Sequence, residues 1–160
     1  MYLYTVTGAV GEEGYLDLAK SGDLTGKNVY VNMTNKCPCS CVFCLRQTKQ
    51  QQEGNTLWLK EGEEIIADFA NFNVDAFDEL VFCGFGEPLE RLEDVCRVID
   101  SLKETYPNLK VRLNTIGLAN LIYGRDVTPE LKGRFDTVSI SLNAPDEKEF
   151  LELTRSKFGI

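Results

Sequence analysis

Four of the six cysteines of this 160-residue chain lie in one short segment, TNKCPCSCVFCLR, at residues 34–46. The segment follows the apolar run NVYVNMT, which predicts a strand that leads directly into a cysteine-rich loop. Thiols concentrated in this way are either cross-linked or hold a metal. Because the start, MYLYTVTGAV, lacks the basic and apolar regions of an export signal, metal or redox chemistry is favoured over disulfides.

The composition excludes several classes of function. Histidine is absent, which excludes Ser-His and Cys-His nucleophile pairs, HExxH zinc sites and histidine general bases. Lysine and arginine total 17 against 25 acidic residues, and a net charge of −8 gives no basic surface for a phosphate backbone. No apolar run is long enough to span a bilayer. We therefore expect a cytoplasmic protein, with no nucleic acid or membrane partner indicated.

The hydrophobic periodicity predicts an α/β fold. From residue 28 onward it alternates between two and about 3.6 residues, as in repeated β/α units with a parallel sheet. The predicted strands are NVYVNMT, ELVFCGF, KVRLNT and DTVSISLN, and the predicted helices are EGEEIIADFANF, residues 92–102, TPELKGRF and PDEKEFLELT. Residues 28–160 are predicted as the core domain. Residues 1–27 are predicted as an N-terminal strand and loop arm, with YLYTVT as a candidate added strand.

The predicted strands alternate apolar and polar residues instead of forming continuous apolar runs. In the fourth strand, Val138, Ile140 and Leu142 alternate with Ser139, Ser141 and Asn143. This pattern predicts that the apolar side chains pack under helices while the polar ones face the inside of a curved sheet, as a ligand cavity requires. Cys83, in a strand, and Cys96, on an apolar helix face, are predicted to be core residues.

Three of the loop cysteines have the spacing C-x3-C-x2-C, namely Cys37, Cys41 and Cys44. Three thiolates on one loop can bind three corners of a cubane iron-sulfur cluster and leave the fourth iron without a protein ligand. A structural zinc site in which Cys39 is the fourth ligand is one alternative. An electron carrier in which Cys39 or Cys83 closes the fourth iron is another.

This cysteine loop resembles that of the radical S-adenosylmethionine (SAM) superfamily, in which an aromatic residue, here Phe43, precedes the third cysteine. The segment CGFGEPL is similar to the Gly-Gly-Glu-Pro element of that family, and VSISLNAPD is similar to its fourth-strand segment. Within the superfamily, TNKCPCSCVFCLRQ, DELVFCGFGEPL, RLNTIGLA and SISLNAPD most resemble the TatD-associated radical SAM proteins. The resemblance covers residues 28–160. Two positions depart from the family pattern. Phe85 stands where the Glu-Pro element usually has its first glycine, and Ile116 interrupts what is often Thr-Asn-Gly after the third strand.

The resemblance implies a [4Fe-4S] cluster on Cys37, Cys41 and Cys44, and reductive cleavage of SAM to methionine and a 5′-deoxyadenosyl radical. The SAM contacts that it implies are Phe43 near the adenine, Gly84, Phe85, Gly86 and Glu87 at the ammonium group, and Ser139, Ser141 and Asn143 at the ribose. The radical would abstract hydrogen from a substrate that the sequence does not identify, and no catalytic residue is assigned. An electron donor such as a flavodoxin or ferredoxin is also implied.

The family barrel has six β/α units, whereas four are predicted here before the sequence ends at TRSKFGI. We therefore expect a partial (β/α) barrel of the radical SAM type that is truncated at its C-terminus. Its fourth strand would be an open edge. Either the chain is a fragment, or a second copy completes the sheet in a homo-oligomer.

Overall fold

The computed structural model describes residues 1–9, 14–47, 57–60 and 69–159, and within them one mixed sheet is formed. Its strands are β1 Tyr2–Val6, β2 Tyr15–Asp17, β3 Lys27–Asn32, β4 Phe77–Phe82, β5 Val111–Thr115 and β6 Thr137–Ile140. The α-helices are α1 Leu92–Thr105, α2 Ala119–Tyr123, α3 Thr128–Leu131 and α4 Glu147–Thr154. In the described ranges, no helix is both long enough and apolar enough to cross a membrane.

The strand order is β2-β1-β3-β4-β5-β6. The strands β3 to β6 pair in parallel, and β1 is antiparallel to both β2 and β3. This topology confirms the predicted α/β class and the partial (β/α) barrel. The candidate strand YLYTVT is β1, so the sheet runs across the predicted boundary at residue 27.

The main core lies between α1 and one face of the sheet. Leu92, Val95 and Ile99 recur at helical spacing on α1 and are fully buried. They join a cluster that includes Val111 and Leu113 of β5. Burying each such side chain stabilises the fold by about 1.5–3 kcal/mol. This helix therefore covers one face of the sheet, and a second, smaller cluster that includes Tyr4, Leu57 and Phe85 forms separately from this core.

The apolar side chains of the predicted fourth strand, DTVSISLN, are not covered, which corrects the prediction that they pack under helices. Val138 is 46% exposed, Ile140 64% and Leu142 75%. Val138 and Ile140 line an open groove of about 490 Å³ together with Leu131 and Phe135. Alternation shows which residues share a face, but no described element shields this face from solvent.

One predicted helix, EGEEIIADFANF, lies mostly outside the described residues. Its described end packs on the main core, where Phe69 is buried and Phe72 is partly buried. The N-terminal segment also contributes to that core through Leu3, Leu18 and Leu24. The described part of this segment is therefore built into the same folded unit as the parallel strands.

Candidate cofactor site

The two predicted motif loops meet at one edge of the sheet. The cysteine loop follows β3, and the loop 83–87, from CGFGEPL, follows β4. Because β3 and β4 are parallel neighbours, their carboxyl ends lie side by side, which is where open α/β sheets bind ligands. The loops contact each other directly, since the backbone N–H of Glu87 donates to the carbonyl of Lys36 at 2.8 Å.

The glycines of loop 83–87 permit this close approach. A Cβ atom at Gly86 would overlap the carbonyl oxygen of Thr34 and lie 2.5 Å from that of Lys36. A Cβ atom at Gly84 would overlap the side chain of Asn32. Glycine is therefore required at both positions by neighbouring atoms, and at Gly86 those atoms belong to the backbone of the cysteine loop.

Glu87 joins loop 83–87 to the end of β5. Its side chain is only 4% exposed. One carboxylate oxygen accepts from the Thr115 hydroxyl at 2.7 Å and from the N–H of Leu89 at 3.2 Å, and the other accepts from the N–H of Ile116 at 2.9 Å. Burial raises the pKa of this carboxyl despite the three donors. A carboxylate has about four acceptor positions, so three of them are used within the chain.

The four loop cysteines differ in exposure. Cys37, Cys41 and Cys44 are partly exposed, whereas Cys39 is buried. Burial raises the pKa of the Cys37 and Cys41 thiols, and it raises that of Cys39 to about 12. Since a metal ligand must be a thiolate, burial of Cys39 opposes its use as a ligand.

The cysteine loop is bound to the C-terminal end of α4 and to Lys157, which follows this helix. The N–H groups of Ser40 and Val42 donate to the carbonyls of Thr154 and Leu153, each at 2.9 Å. In return, the N–H of Lys157 donates to the carbonyl of Pro38 at 2.9 Å. Because these contacts use backbone atoms, the path of the loop is set without constraining its cysteine side chains.

The opposite side of the cysteine loop is bound to residues 57–60. The side-chain amide of Asn35 donates to the carbonyl of Leu59 at 2.6 Å and accepts from its N–H at 3.1 Å. Asn32 donates in the same way to the carbonyl of Leu57. The ring of Trp58 lies 6.5 Å from that of Phe85, so residues 57–60 also contact loop 83–87.

The thiol donor set fits a cluster better than a single zinc ion. No three Cys, Asp or Glu side chains of the described residues converge closely enough to hold one metal ion. A structural zinc site requires four ligands, each about 2.0–2.3 Å from the same ion. A cubane cluster binds each thiolate through a different iron, so the thiolates stand farther apart. Cys37, Cys41 and Cys44 supply the three thiols that such a cluster needs, at the sequence spacing C-x3-C-x2-C.

The predicted ribose residues lie on or beyond β6. Ser139 is partly buried and its hydroxyl accepts from Arg112 Nη1 at 3.3 Å, whereas Ser141 and Asn143 are exposed. A polar groove of about 590 Å³ is lined by Asn28, Tyr30, Val81, Cys83, Arg112, Asn114, Ser139, Ile140 and Ser141. Cys83 therefore faces a polar groove, which corrects its prediction as a core residue. Asn143 does not line this groove, and Phe43 is 54% exposed.

Three residues of the site were missed by sequence reasoning. Thr115 binds the Glu87 carboxylate, and Asn35 and Arg46 hold the cysteine loop. Asn35 and Arg46 lie inside the segment TNKCPCSCVFCLR, so their closeness to the cysteines in the sequence could have indicated that they belong to the site. Thr115 ends a predicted strand next to the one that ends before Glu87, and the shared strand edge could have indicated the contact.

The comparisons with known proteins agree with this geometry. The model of the radical SAM superfamily matches residues 31–159. A probable dual-specificity RNA methyltransferase RlmN of Treponema pallidum is 38% identical over 68 residues, which are 41% of this chain and 18% of that protein. Its counterpart in Treponema denticola is 28% identical over 130 residues, or 75% of this chain and 35% of that protein. The chain thus spans a minor part of these relatives, and no solved structure matches it.

Proposed function

This chain belongs to the radical SAM superfamily, and we propose that it binds a [4Fe-4S] cluster through Cys37, Cys41 and Cys44 to cleave SAM reductively. When bound, these groups supply a 5′-deoxyadenosyl radical that abstracts hydrogen from a substrate. The proposal is carried by the direct contact between the cysteine loop and loop 83–87, in which the backbone N–H of Glu87 donates to the carbonyl of Lys36 at 2.8 Å. This contact joins two motifs that the family uses together and that are far apart in the sequence.

The chain's own residues divide the work of binding. Three partly exposed thiols on one loop leave one corner of a cluster free for a metabolite. The backbone carbonyls of Gly84, Phe85 and Gly86 accept from the SAM ammonium group, a charge-assisted contact. Because the Glu87 carboxylate already accepts three hydrogen bonds within the chain, its larger part is to hold these carbonyls in place.

The remaining SAM contacts belong to the same proposal. Phe43 adjoins Cys44 and exposes 54% of its surface, which leaves its ring available to the adenine. Ser139 and Ser141 line the polar groove and offer hydroxyls to the ribose. Asn143 follows them beyond β6, where its left-handed backbone, at φ 60°, turns the chain away from the strand.

The proposed activity extends as far as hydrogen abstraction and includes no later step. The relatives are named RNA methyltransferases, but the matches cover 35% of their length or less. With a net charge of −8, this chain also has no basic excess for a phosphate backbone. Membership of the TatD-associated group, a cytoplasmic location and a flavodoxin or ferredoxin as electron donor remain predictions.

Anaerobic reconstitution with iron and sulfide, followed by SAM and dithionite, tests the proposal. We expect acid-labile sulfide, a brown chromophore and 5′-deoxyadenosine, measured by chromatography. The Cys37→Ser variant should lose the chromophore and the product, whereas the Cys39→Ser variant is the matched control and should keep both. One tight zinc without sulfide would favour a structural metal module, and a cluster that gives no 5′-deoxyadenosine would favour an electron carrier.

A further inference from the structure

Arg46 spans the cysteine loop with its guanidinium group. Nη1 donates to the carbonyl of Asn35 at 2.6 Å, and Nη2 donates to the carbonyl of Cys39 at 3.0 Å. These two carbonyls stand on either side of Cys37 in the sequence. A planar guanidinium can hold two acceptors at once in a fixed geometry, which the single ammonium group of a lysine cannot reproduce. Arg46 therefore fixes the entry and the first turn of the loop relative to its end.

The first acceptor of Arg46 is itself held in place. The side chain of Asn35 makes two hydrogen bonds with the backbone of Leu59, at 2.6 and 3.1 Å. Leu59 is only 5% exposed. The contact between Arg46 and Asn35 thus connects the cysteine loop to a buried part of the structure. Substitution of Arg46 should therefore alter the position of the loop.

The charge of Arg46 also acts on the proposed cluster ligands. Its guanidinium interacts electrostatically with both Cys37 and Cys41. Reduction adds one negative charge to a cluster, and a nearby positive charge stabilises the reduced form more than the oxidised form. The chain has a net charge of −8, so its overall electrostatic potential disfavours adding an electron to the cluster, and the positive charge of Arg46 at this loop opposes that effect.

We propose that Arg46 is a positioning residue that closes the cysteine loop and raises the reduction potential of the cluster bound there. This inference rests on the proposed function, since it presupposes the cluster. It assigns two separable effects to one side chain. The hydrogen-bonding fork retains the cluster, and the positive charge makes the cluster easier to reduce by the low-potential donor that SAM cleavage needs.

Two substitutions separate these effects. Arg46→Gln removes both the charge and the fork, whereas Arg46→Lys keeps the charge and loses only the fork, so the difference between the two variants measures the effect of the charge. The matched control is Arg97→Gln, which removes the same charge from a 65% exposed side chain on α1. Each reconstituted protein is titrated with dithionite, its reduced cluster is followed by electron paramagnetic resonance, and its loss of iron to a chelator is timed. Circular dichroism checks that every variant is folded.

We expect the ratio of reduced to oxidised cluster in Arg46→Gln to fall about tenfold at a fixed potential, which equals about 59 mV for one electron. Arg46→Lys should keep the potential of the unsubstituted protein and lose iron several-fold faster. Arg97→Gln should match the unsubstituted protein in both measurements. A folded Arg46→Gln protein that loads no cluster would support the retention effect.

Other outcomes overturn the inference. If Arg46→Gln and Arg46→Lys both match the unsubstituted protein in potential and in iron loss, Arg46 neither positions the loop nor tunes the cluster. If Arg46→Gln does not fold, Arg46→Lys decides, and unchanged iron loss in that variant counts against the fork. Failure of the unsubstituted protein to bind iron and sulfide is a different result, because it removes the proposed function itself.

Discussion

The two loops of the candidate site are built in different ways. In loop 83–87, Phe85 and Glu87 are buried, and Gly86 lies against backbone atoms that leave no space for a side chain. In the cysteine loop, Phe43 is 54% exposed and three of the four thiols are partly exposed. One loop is packed on its neighbours, and the other is held mainly through hydrogen bonds to its backbone.

This difference matches what each loop is proposed to do. A surface that presents backbone carbonyls to SAM works best when its geometry is preorganised, and burial provides that. A loop that receives a cluster needs side chains that can turn toward iron, so its restraints fall on the backbone instead. Substitutions in loop 83–87 should therefore affect folding, and substitutions in the cysteine loop should affect ligand binding.

The largest expected effect on stability is that of Gly86→Ala. The new methyl group would overlap the carbonyl oxygen of Thr34, and backbone atoms cannot move aside as a side chain can. We expect the free energy of unfolding to fall by about 3 kcal/mol, measured by urea denaturation. The control is Gly22→Ala, at φ 62° with no atom near its Cβ, which should cost only about 1 kcal/mol of backbone strain. Equal losses would contradict the packed description of the loop.

Glu87→Gln should have the next largest effect. A glutamine keeps the shape but presents an amide donor to groups that already donate, namely the hydroxyl of Thr115 and the N–H of Ile116. Leaving one buried donor without an acceptor costs about 2 kcal/mol. Urea denaturation of the variant and the unsubstituted protein at pH 5 measures this loss, and an unchanged midpoint would show that Glu87 does not join the two strand ends.

The effect of Glu87→Gln should also depend on pH. Burial raises the pKa of Glu87, so the folded state favours the protonated form. The stability contributed by this group is therefore complete below its ordinary pKa of about 4.3 and is lost as pH rises through its raised folded-state pKa. The stability advantage of the unsubstituted protein over Glu87→Gln should shrink as pH rises from 5 to 8. An advantage that grows with pH would mean that the three hydrogen bonds outweigh burial.

Cys39→Ala tests the role of the one buried cysteine of the cysteine loop. Cys39 is 3% exposed, and removing its sulfur resembles the removal of one buried methylene, which costs about 1 kcal/mol. Iron and sulfide contents after reconstitution should stay the same, because Cys39 is not a proposed ligand. Loss of the cluster in this variant would make Cys39 a fourth ligand and would close the iron that SAM needs.

The smallest effect on stability is expected for Phe43→Ala. Its half-exposed ring should contribute less than about 0.5 kcal/mol to the free energy of unfolding. Its effect should instead be on SAM, because loss of base stacking costs about 1–3 kcal/mol, or roughly 5- to 150-fold in affinity. Equilibrium binding of SAM to the reconstituted protein measures this. A stability loss comparable to that of Gly86→Ala would remove the contrast between the loops.

Much of the fold could be predicted from the sequence because its strands and long helices are periodic. The strands β3 to β6 and the helices α1 and α4 lie where alternation and helical spacing indicated. The strand β2 and the helix α2, of three and five residues, are too short to show a period. The exposure of Ile140 could not be predicted, because a pattern along one strand carries no information about what covers it.

The site could be predicted in outline but not in its contacts. Parallel neighbours end at the same edge, so the meeting of the two loops followed from the strand order. Cys83 was assigned to the wrong face, although a period of two places it with Glu79, a polar residue of the same strand. The contacts of Arg46 were not predictable, because a long side chain in an irregular loop follows no period.

The pairing of the cysteine loop with the C-terminal end of α4 also has a consequence for the order of assembly in the cell. A ribosome makes Ser40 and Val42 long before their partners Leu153 and Thr154. Contacts between distant parts of a chain form late, after the entropy of closing a long loop has been overcome. A nascent chain therefore presents the cysteine loop before the backbone that later sets its path has been made. Insertion of the proposed cluster should therefore follow the completion of α4.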